Sequence, residues 1–430
     1  MKHKNELPAD KRLILFCKYA LVPAVVFLFA GISSAADFSF KPSITVSEEY
    51  TDNVFLTTVS KKSDFITRAM PGFALKYNAP FWDWDIKYAY DFRYYAKGNR
   101  DNDQTHDINT QGLIKLIDEK LFLAVSDTYR RISLDAARTS TSESLFINQT
   151  DVNTAIVSPY LVLKPTSSTT LKTGYRYINT LYINSDGVDS INHVGFLEAS
   201  YEITQKLSLK MDYTFTRQET TGLQLNRHEA FIGPRYEYAD KSFIFAEGGA
   251  NRTYYSNGTR VTNPAWKGGI THSFDTMVAT LTTDVKYTDT PQGSSLLTKS
   301  YSAALNKVLS RGNISIYATY SDFSAADIIN PLPGVTTANQ DRKSYSCGFS
   351  SKYELLTKLN GTLGLTYNYL TNEQLSSITR QYYVNSALDY TFADELTASL
   401  IYNYNDSSSA QIVGDNWKVN RVILEVKKVF

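Results

Sequence analysis

Between Phe81 and Lys97 the chain reads FWDWDIKYAYDFRYYAK, and Trp82, Trp84, Ile86, Tyr88, Tyr90, Phe92, Tyr94 and Ala96 share one parity. The other parity carries Asp83, Asp85, Lys87, Asp91, Arg93 and Lys97. A strand sends successive side chains to opposite faces, so one face here is aromatic and the other ionised. The alternation recurs to the C-terminus, with no helical pattern to cover the apolar face. An uncovered apolar face needs lipid and an ionised face needs water. A closed, antiparallel, up-and-down transmembrane β-barrel supplies both.

The first residues, MKHKNELPADKR, lead into an apolar run from Leu13 to Ala30 and then the small residues Gly31 to Ala36. That order reads as a secretory signal cut after Ala36, which makes residues 1–36 a signal peptide and 37–430 one barrel domain. A retained anchor fits less well, because the run is short and contains Pro23. Nor does a lipobox-like small residue precede Cys17. Removing residues 1–36 takes five of the 44 basic and two of the 43 acidic residues, so the mature chain carries a net charge of −2. That balance argues against a nucleic-acid partner, which calls for a basic excess. Cys347 is then the sole cysteine, and no internal disulfide can form. No later stretch has the roughly 18 consecutive apolar residues of a membrane-spanning helix.

After Asp37 the chain divides into about twenty alternating segments of about ten to sixteen residues, near what a tilted strand needs to cross a bilayer. Brief connections at Ala79-Pro80, Asp118-Glu119, Thr204-Gln205, Ala239-Asp240, Asp275-Thr276 and Ala393-Asp394 alternate with longer polar ones. The longer set includes Thr51 to Ser63, Ile132 to Ile147, Ala325 to Gln340 and Asp406 to Gly414. Expected outward sets include Leu207, Leu209, Met211, Tyr213 and Phe215, and Met277, Ala279, Leu281, Val285 and Tyr287. Parity is mixed from Ser242 to Tyr255 and interrupted at Asn306-Lys307, which leaves eighteen strands as the alternative count.

Tyrosine, at 31 residues, clusters toward segment ends, as an interfacial aromatic girdle would. A sugar-stacking track needs rings on the inward parity, where Tyr95 and Tyr383 are the candidates. The last strand ends on Phe430, with Val422, Leu424 and Val426 on its parity. A terminal aromatic of this kind resembles the signal read by the barrel assembly machinery, although Lys428 departs from the pattern.

Near the N-terminus stand Glu49-Tyr50-Thr51-Asp52-Asn53-Val54-Phe55, then Asp64-Phe65-Ile66-Thr67-Arg68 and Pro71-Gly72. Over some thirty residues they resemble the signature of a β-barrel porin family associated with PEP-CTERM/exosortase systems and exopolysaccharide gene clusters. The resemblance implies an envelope channel or export role tied to surface polysaccharide, with polysaccharide export components as partners and no catalytic residues. Taken alone, Thr51-Asp52-Asn53 reads as a turn, because Asp and Asn side chains bond nearby backbone. A calcium site is the sharper alternative, but two ligands without a spaced carboxylate set support it poorly.

Other classes fit less well. Strand parity turns His228 and His272 outward, and His106 and His193 fall near strand ends. No catalytic motif accompanies them, so no enzyme and no cofactor are expected. A TonB-dependent transporter needs a plug inside about 22 strands, and twenty strands with their loops nearly consume the mature length. A structural or adhesive barrel without flux remains the competing account. The inward charges Asp83, Asp85, Lys87, Asp91, Arg93, Lys97, Arg176, Lys210, Asp212, Arg235, Glu237, Asp284 and Lys286 are the expected pore lining, and their mixed signs suit polar solutes. The Pro-stiffened loop Ala325 to Gln340 is the expected constriction. Outer-membrane lipid is the expected surrounding.

Overall fold

The computed structural model describes residues 36–133, 149–183, 187–221, 223–289, 295–325, 341–372, 376–393, 395–409 and 416–430. The expected signal peptide, the loop at 132–147 and the constriction at 325–340, with Asn330 to Gly334, lie almost wholly outside these residues. Strands β1 to β7 span Asp37–Thr51, Asp64–Ala79, Trp82–Tyr95, Asp103–Ile117, Leu121–Ser133, Gln149–Thr166 and Thr169–Ile183. Strands β8 to β14 span Ser190–Glu202, Leu207–Thr220, Leu223–Ala239, Ser242–Tyr255, Arg260–Ser273, Met277–Asp289 and Ser295–Leu309. Strands β15 to β20 span Gly312–Ala325, Arg342–Leu356, Leu359–Asn372, Ser377–Ala393, Leu396–Ser409 and Trp417–Val429.

Each strand pairs antiparallel with its neighbours in sequence, and β1 also pairs with β20, so the 20-stranded sheet closes on itself. The count is twenty, not eighteen, because the weak segments become β11 and β14. The start of β1, the end of β20 and most of the short turns lie at one end of the ring; the two-residue β9–β10 connection is an exception. Glu119, Lys241 and Glu395 sit in three of those turns with positive φ of 56°, 51° and 64°. The longer connections leave the strands at the other end.

Contacts between distant strands identify the inner face. Lys267 of β12 reaches Asp212 of β9 at 3.0 Å, and the Tyr317 hydroxyl of β15 lies 3.3 Å from Thr366 of β17. Side chains on strands that are not neighbours converge on the concave side, and an ionic contact spanning two intervening strands, as Lys267 makes, fits only there. Cross-strand partners share a face, so the register carries this assignment round the ring and returns it unchanged at β1. Outside lie Phe40, Ile44, Leu281, Ile316, Leu365, Leu400 and Leu424, all exposed. Lipid has to cover them.

Three parts of the long-loop end fold toward the lumen. After β1 the chain bends inward, burying Val54 against Ile66 and Tyr95, and Leu56 against Trp417 and Val419. The register places these partners on the inner face. Pairing of β12 with β13 ends at Lys267↔Asp284, and beyond it Val285 and Leu297 pack on Phe231 and Ala265. Since Phe231 and Ala265 face inward, the upper β13–β14 hairpin lies on the lumen side of β10 and β12. Val285 and Tyr287, expected to meet lipid, therefore face protein: Tyr287 accepts a 2.9 Å hydrogen bond from Asn263 and lies 4.0 Å under the Arg227 guanidinium.

The β5–β6 hairpin does the same with ions. Pairing of β4 with β5 extends only up to Ile108↔Tyr129. Beyond it, Arg131 and Asp151 turn to the inner face of β4, where Arg131 binds Asp103 and Asp151 accepts from Thr105 at 3.2 Å.

The face assignment predicts opposite outcomes for adjacent substitutions. Leu281→Arg places a cation in lipid and is expected to cost about 2 to 4 kcal/mol of insertion free energy near the bilayer midplane. Thr282→Arg faces water and is expected to insert normally. Equilibrium folding into liposomes, read by heat-modifiable gel migration, compares them; equal losses would contradict the faces.

Candidate lumen and mouth

Elements at neighbouring register positions bring most of the expected pore-lining charges to the inner wall, seven of them in ion pairs. Asp83 meets Lys115 at 3.1 Å and Asp85 meets Lys76 at 3.7 Å. Asp91 is nearly buried between two guanidiniums, accepting from Arg68 at 2.8 Å and from Arg93 at 2.7 Å. Asp212 holds Lys267, which also approaches Glu247 at 3.8 Å. Lys286 and Asp284 lie 3.4 Å apart. Lys87, Arg176, Lys210, Arg235 and Glu237 share the inner parity, and Arg235 lies 3.4 Å over the Phe243 ring.

Lys97 departs from the expectation. Strand β3 ends at Tyr95, and Lys97 belongs to the following turn. Its ammonium bonds Ser63 at 2.6 Å and stands 5.7 Å from the Phe65 ring, whose register faces outward. Alternation fails there because the strand has already ended.

Lys267 shows what parity alone misses. Its side chain crosses two strands to reach Asp212, passing 4.0 Å over the Phe231 ring. Gly233 and Gly249 on the crossed strands leave room, and a Cβ at either would strike backbone at 1.8 Å. Lys267 adjoins Gly268-Gly269 in a segment with little polar alternation, so nothing local marks it as lumenal.

The mouth has its own polar cavity, of about 750 Å³, lined by Arg100, Asp101, Asp103, Arg131, Thr150 and Asp151 among others. Arg131 closes one side, donating to Asp151 at 2.8 Å, and Tyr129 donates to the same carboxylate at 3.4 Å. The first loop is pinned by the residues expected to form a turn. Asn53 is fully buried; its amide donates to the Thr57 carbonyl at 2.8 Å and the Lys418 carbonyl at 3.0 Å, and its oxygen accepts from Thr57 N at 3.0 Å. Asp52 accepts from Asn420 backbone and amide at 2.9 and 2.7 Å. All of these oxygens are engaged in protein hydrogen bonds, which supports the turn over the calcium alternative. Among the described residues no group of three or more His, Cys, Asp or Glu side chains is placed to hold a metal.

The outer wall explains the histidines. His106, His193, His228 and His272 each meet a tyrosine hydroxyl through Nδ1, Tyr88 at 3.0 Å, Tyr175 at 2.5 Å, Tyr213 at 2.8 Å and Tyr238 at 3.0 Å. Tyr90, Tyr177 and Phe215 flank the first three from the other side. The repeated clasp is an aromatic pair two residues apart gripping a histidine on the next strand, and amphipathic rings of this kind suit the headgroup level.

Because Asp91 separates Arg68 from Arg93, Asp91→Asn should leave two guanidiniums facing each other nearly out of water. Loss of one partner from such a buried cluster costs on the order of 3 kcal/mol. Urea titration of the refolded barrel measures it, with Asp85→Asn, at a half-exposed pair, expected to change stability by less than about 1 kcal/mol.

No family model and no curated protein matches the chain. Among solved structures, the FrpB iron transporter of Neisseria meningitidis superposes with a TM-score of 0.53 at 9% identity, covering 91% of this chain and 82% of that one. The ferric enterobactin receptor PfeA of Pseudomonas aeruginosa gives 0.52 at 8% identity, over 91% and 80%. The porin family suggested by the N-terminal signature is not singled out by these matches. At such identities the likeness is one of architecture, and the chain has the barrel fold of outer-membrane transporters.

Proposed function

We propose that this protein is an outer-membrane channel for polar solutes whose mouth is narrowed by its first loop and two inward hairpins. The observation that carries the reading is the division of faces around a closed ring, with exposed apolar side chains outside and ion pairs such as Lys267–Asp212 inside. Twenty strands enclose more space than the 16 to 18 that already leave an aqueous channel in porins. Among the described residues, every element from β1 onward belongs to the wall or its connections, and no separate domain stands inside. Balanced signs along the lumen favour weak charge preference.

In this reading the long-loop end faces the cell exterior, lipid surrounds the apolar belt, and the assembly machinery reads the last strand ending at Phe430. Support for a surface-polysaccharide export context, with its export components as partners, comes from the N-terminal resemblance. The role is passage and not catalysis.

A tag inserted after Gly258, in an exposed turn of the long-loop end, is expected to be labelled on intact cells. Labelling only after permeabilisation would invert the orientation.

Planar-bilayer recording tests the flux. Purified protein is expected to conduct, and the double change Val54→Ser with Leu56→Ser, which removes the apolar anchors of the first loop, is expected to raise single-channel conductance. If both proteins fold and insert yet stay silent, a structural or adhesive barrel becomes the better account.

A further inference from the structure

Gly174 lies mid-strand on the lumen side of β7, and its neighbours close over it. A Cβ there would come within 2.6 Å of Tyr160 Cβ and 2.9 Å of Phe196 Cζ. Tyr160 stacks in turn on Phe122, with centroids 5.1 Å apart and planes 16° from parallel. Phe122, Tyr160 and Phe196 thus make one aromatic ledge across four adjacent strands, β5 to β8, on the inner wall. Phe122 and Tyr160 are only half-buried, so the ledge meets the lumen.

Cations stand beside it. Lys172 Nζ lies 5.1 Å from the Tyr160 centroid and 5.5 Å from that of Phe196, and the Arg176 guanidinium lies 5.2 Å from Phe196. At those distances they lie over the rings toward the outer limit of cation–π range. By contrast, Arg235 at 3.4 Å from Phe243 and Lys267 at 4.0 Å from Phe231 cap theirs. Lys172 pairs with Glu198 at 3.5 Å, leaving that carboxylate half exposed. No ion pair engages Arg176 among the described residues.

We propose that this ledge is a binding station for an acidic sugar, a pyranose ring carrying a carboxylate. The C–H face of the pyranose is apolar and packs on the rings. Its hydroxyls donate to Glu198, and its carboxylate meets the planar fork of Arg176, which suits bidentate recognition. Shielding of a bare glycine by neighbouring rings is a known device of sheets, and it accounts for Tyr160 and Phe196. It leaves without a role the stacked Phe122 and the charge of Arg176, which among the described residues has no carboxylate partner. An aromatic carboxylate would use the rings and Arg176, but it has no hydroxyl donors to offer Glu198, which would repel it.

The proposal deepens the channel reading and rests on it for access to the lumen. Calorimetry on the full-length protein in detergent micelles reads the site without requiring conduction. Trigalacturonate is expected to bind, and Arg176→Gln to weaken it about tenfold, the equivalent of one charge-assisted hydrogen bond. Phe196→Leu, which keeps an apolar cover over Gly174, is expected to weaken it several-fold. Maltotriose and benzoate are expected to bind about tenfold more weakly than trigalacturonate or not at all, for want of the carboxylate or of the hydroxyls. Equal binding of maltotriose or benzoate, or unchanged affinity in folded Arg176→Gln, would overturn the acidic-sugar station. Binding in micelles with no current in bilayers would instead overturn the channel and leave the station standing; current without binding would do the reverse.

Discussion

A sheet in lipid cannot keep an open edge, because unpaired backbone N–H and C=O groups have no water to bond. Everything else here depends on β1 meeting β20. Their ladder runs from Ser43↔Val429 to Thr51↔Arg421, and side chains and backbone reinforce both ends of it. At the short-turn end the Phe430 amide donates to the Pro42 carbonyl at 2.8 Å. Higher up, Glu49 and Arg421 lie 3.5 Å apart on the inner face with almost no exposure. At the top, Asp52 and Asn53 grip the backbone of Asn420 and Lys418. The N-terminal signature that suggested a family therefore has a physical account independent of transport. Glu49, Asp52 and Asn53 serve the seam, and Asp64, fully buried, accepts from Lys97 N and Asn99 to hold the next loop.

The wall was legible because each strand obeys one rule, lipid on one side and water on the other. The rule fails where the wall is doubled. From Ser242 to Tyr255 parity looked mixed, since the inner face of β11 meets protein and not water: Tyr255 clusters with Leu225 and Val261, and Phe243 lies under Arg235. Val285 and Tyr287 look outward by alternation, yet the hairpin carrying them folds inside. A local sequence pattern records which face is apolar, not what covers it.

The candidate lumen was legible only to the level of faces. Asp91 and Arg93 show the inner parity, but the Arg68–Asp91–Arg93 cluster depends on the register of β2 against β3. Lys267–Asp212 joins residues whose proximity comes from two glycines on intervening strands. The aromatic ledge stayed hidden for a similar reason. Tyr160 stands among Pro159, Leu161 and Val162, where both parities are apolar, so its ring could not be assigned a side until Gly174 and Phe122 were placed beside it.

The inward elements at the mouth are held by unlike forces, and that difference bears on how the proposed channel would respond to its surroundings. The first loop is anchored by Val54 and Leu56 in apolar contacts, which salt does not screen. The β5–β6 hairpin is anchored by Arg131 between Asp103 and Asp151, with Thr105 and Tyr129 completing the bonds of Asp151. Exposed charges farther apart than a Debye length, about 8 Å at physiological ionic strength and about 3 Å at 1 M, are largely screened, but a partly buried, directly bonded cluster is protected from much of this. Neither anchor is therefore loosened strongly by ionic strength alone. A ligand with its own carboxylate acts differently, since it competes for the guanidinium of Arg131 directly. The first loop carries exposed cations of its own, Lys61 and Lys62, but the contacts that anchor it are apolar, so an anionic solute entering the proposed channel would loosen the hairpin by competition and leave the first loop in place.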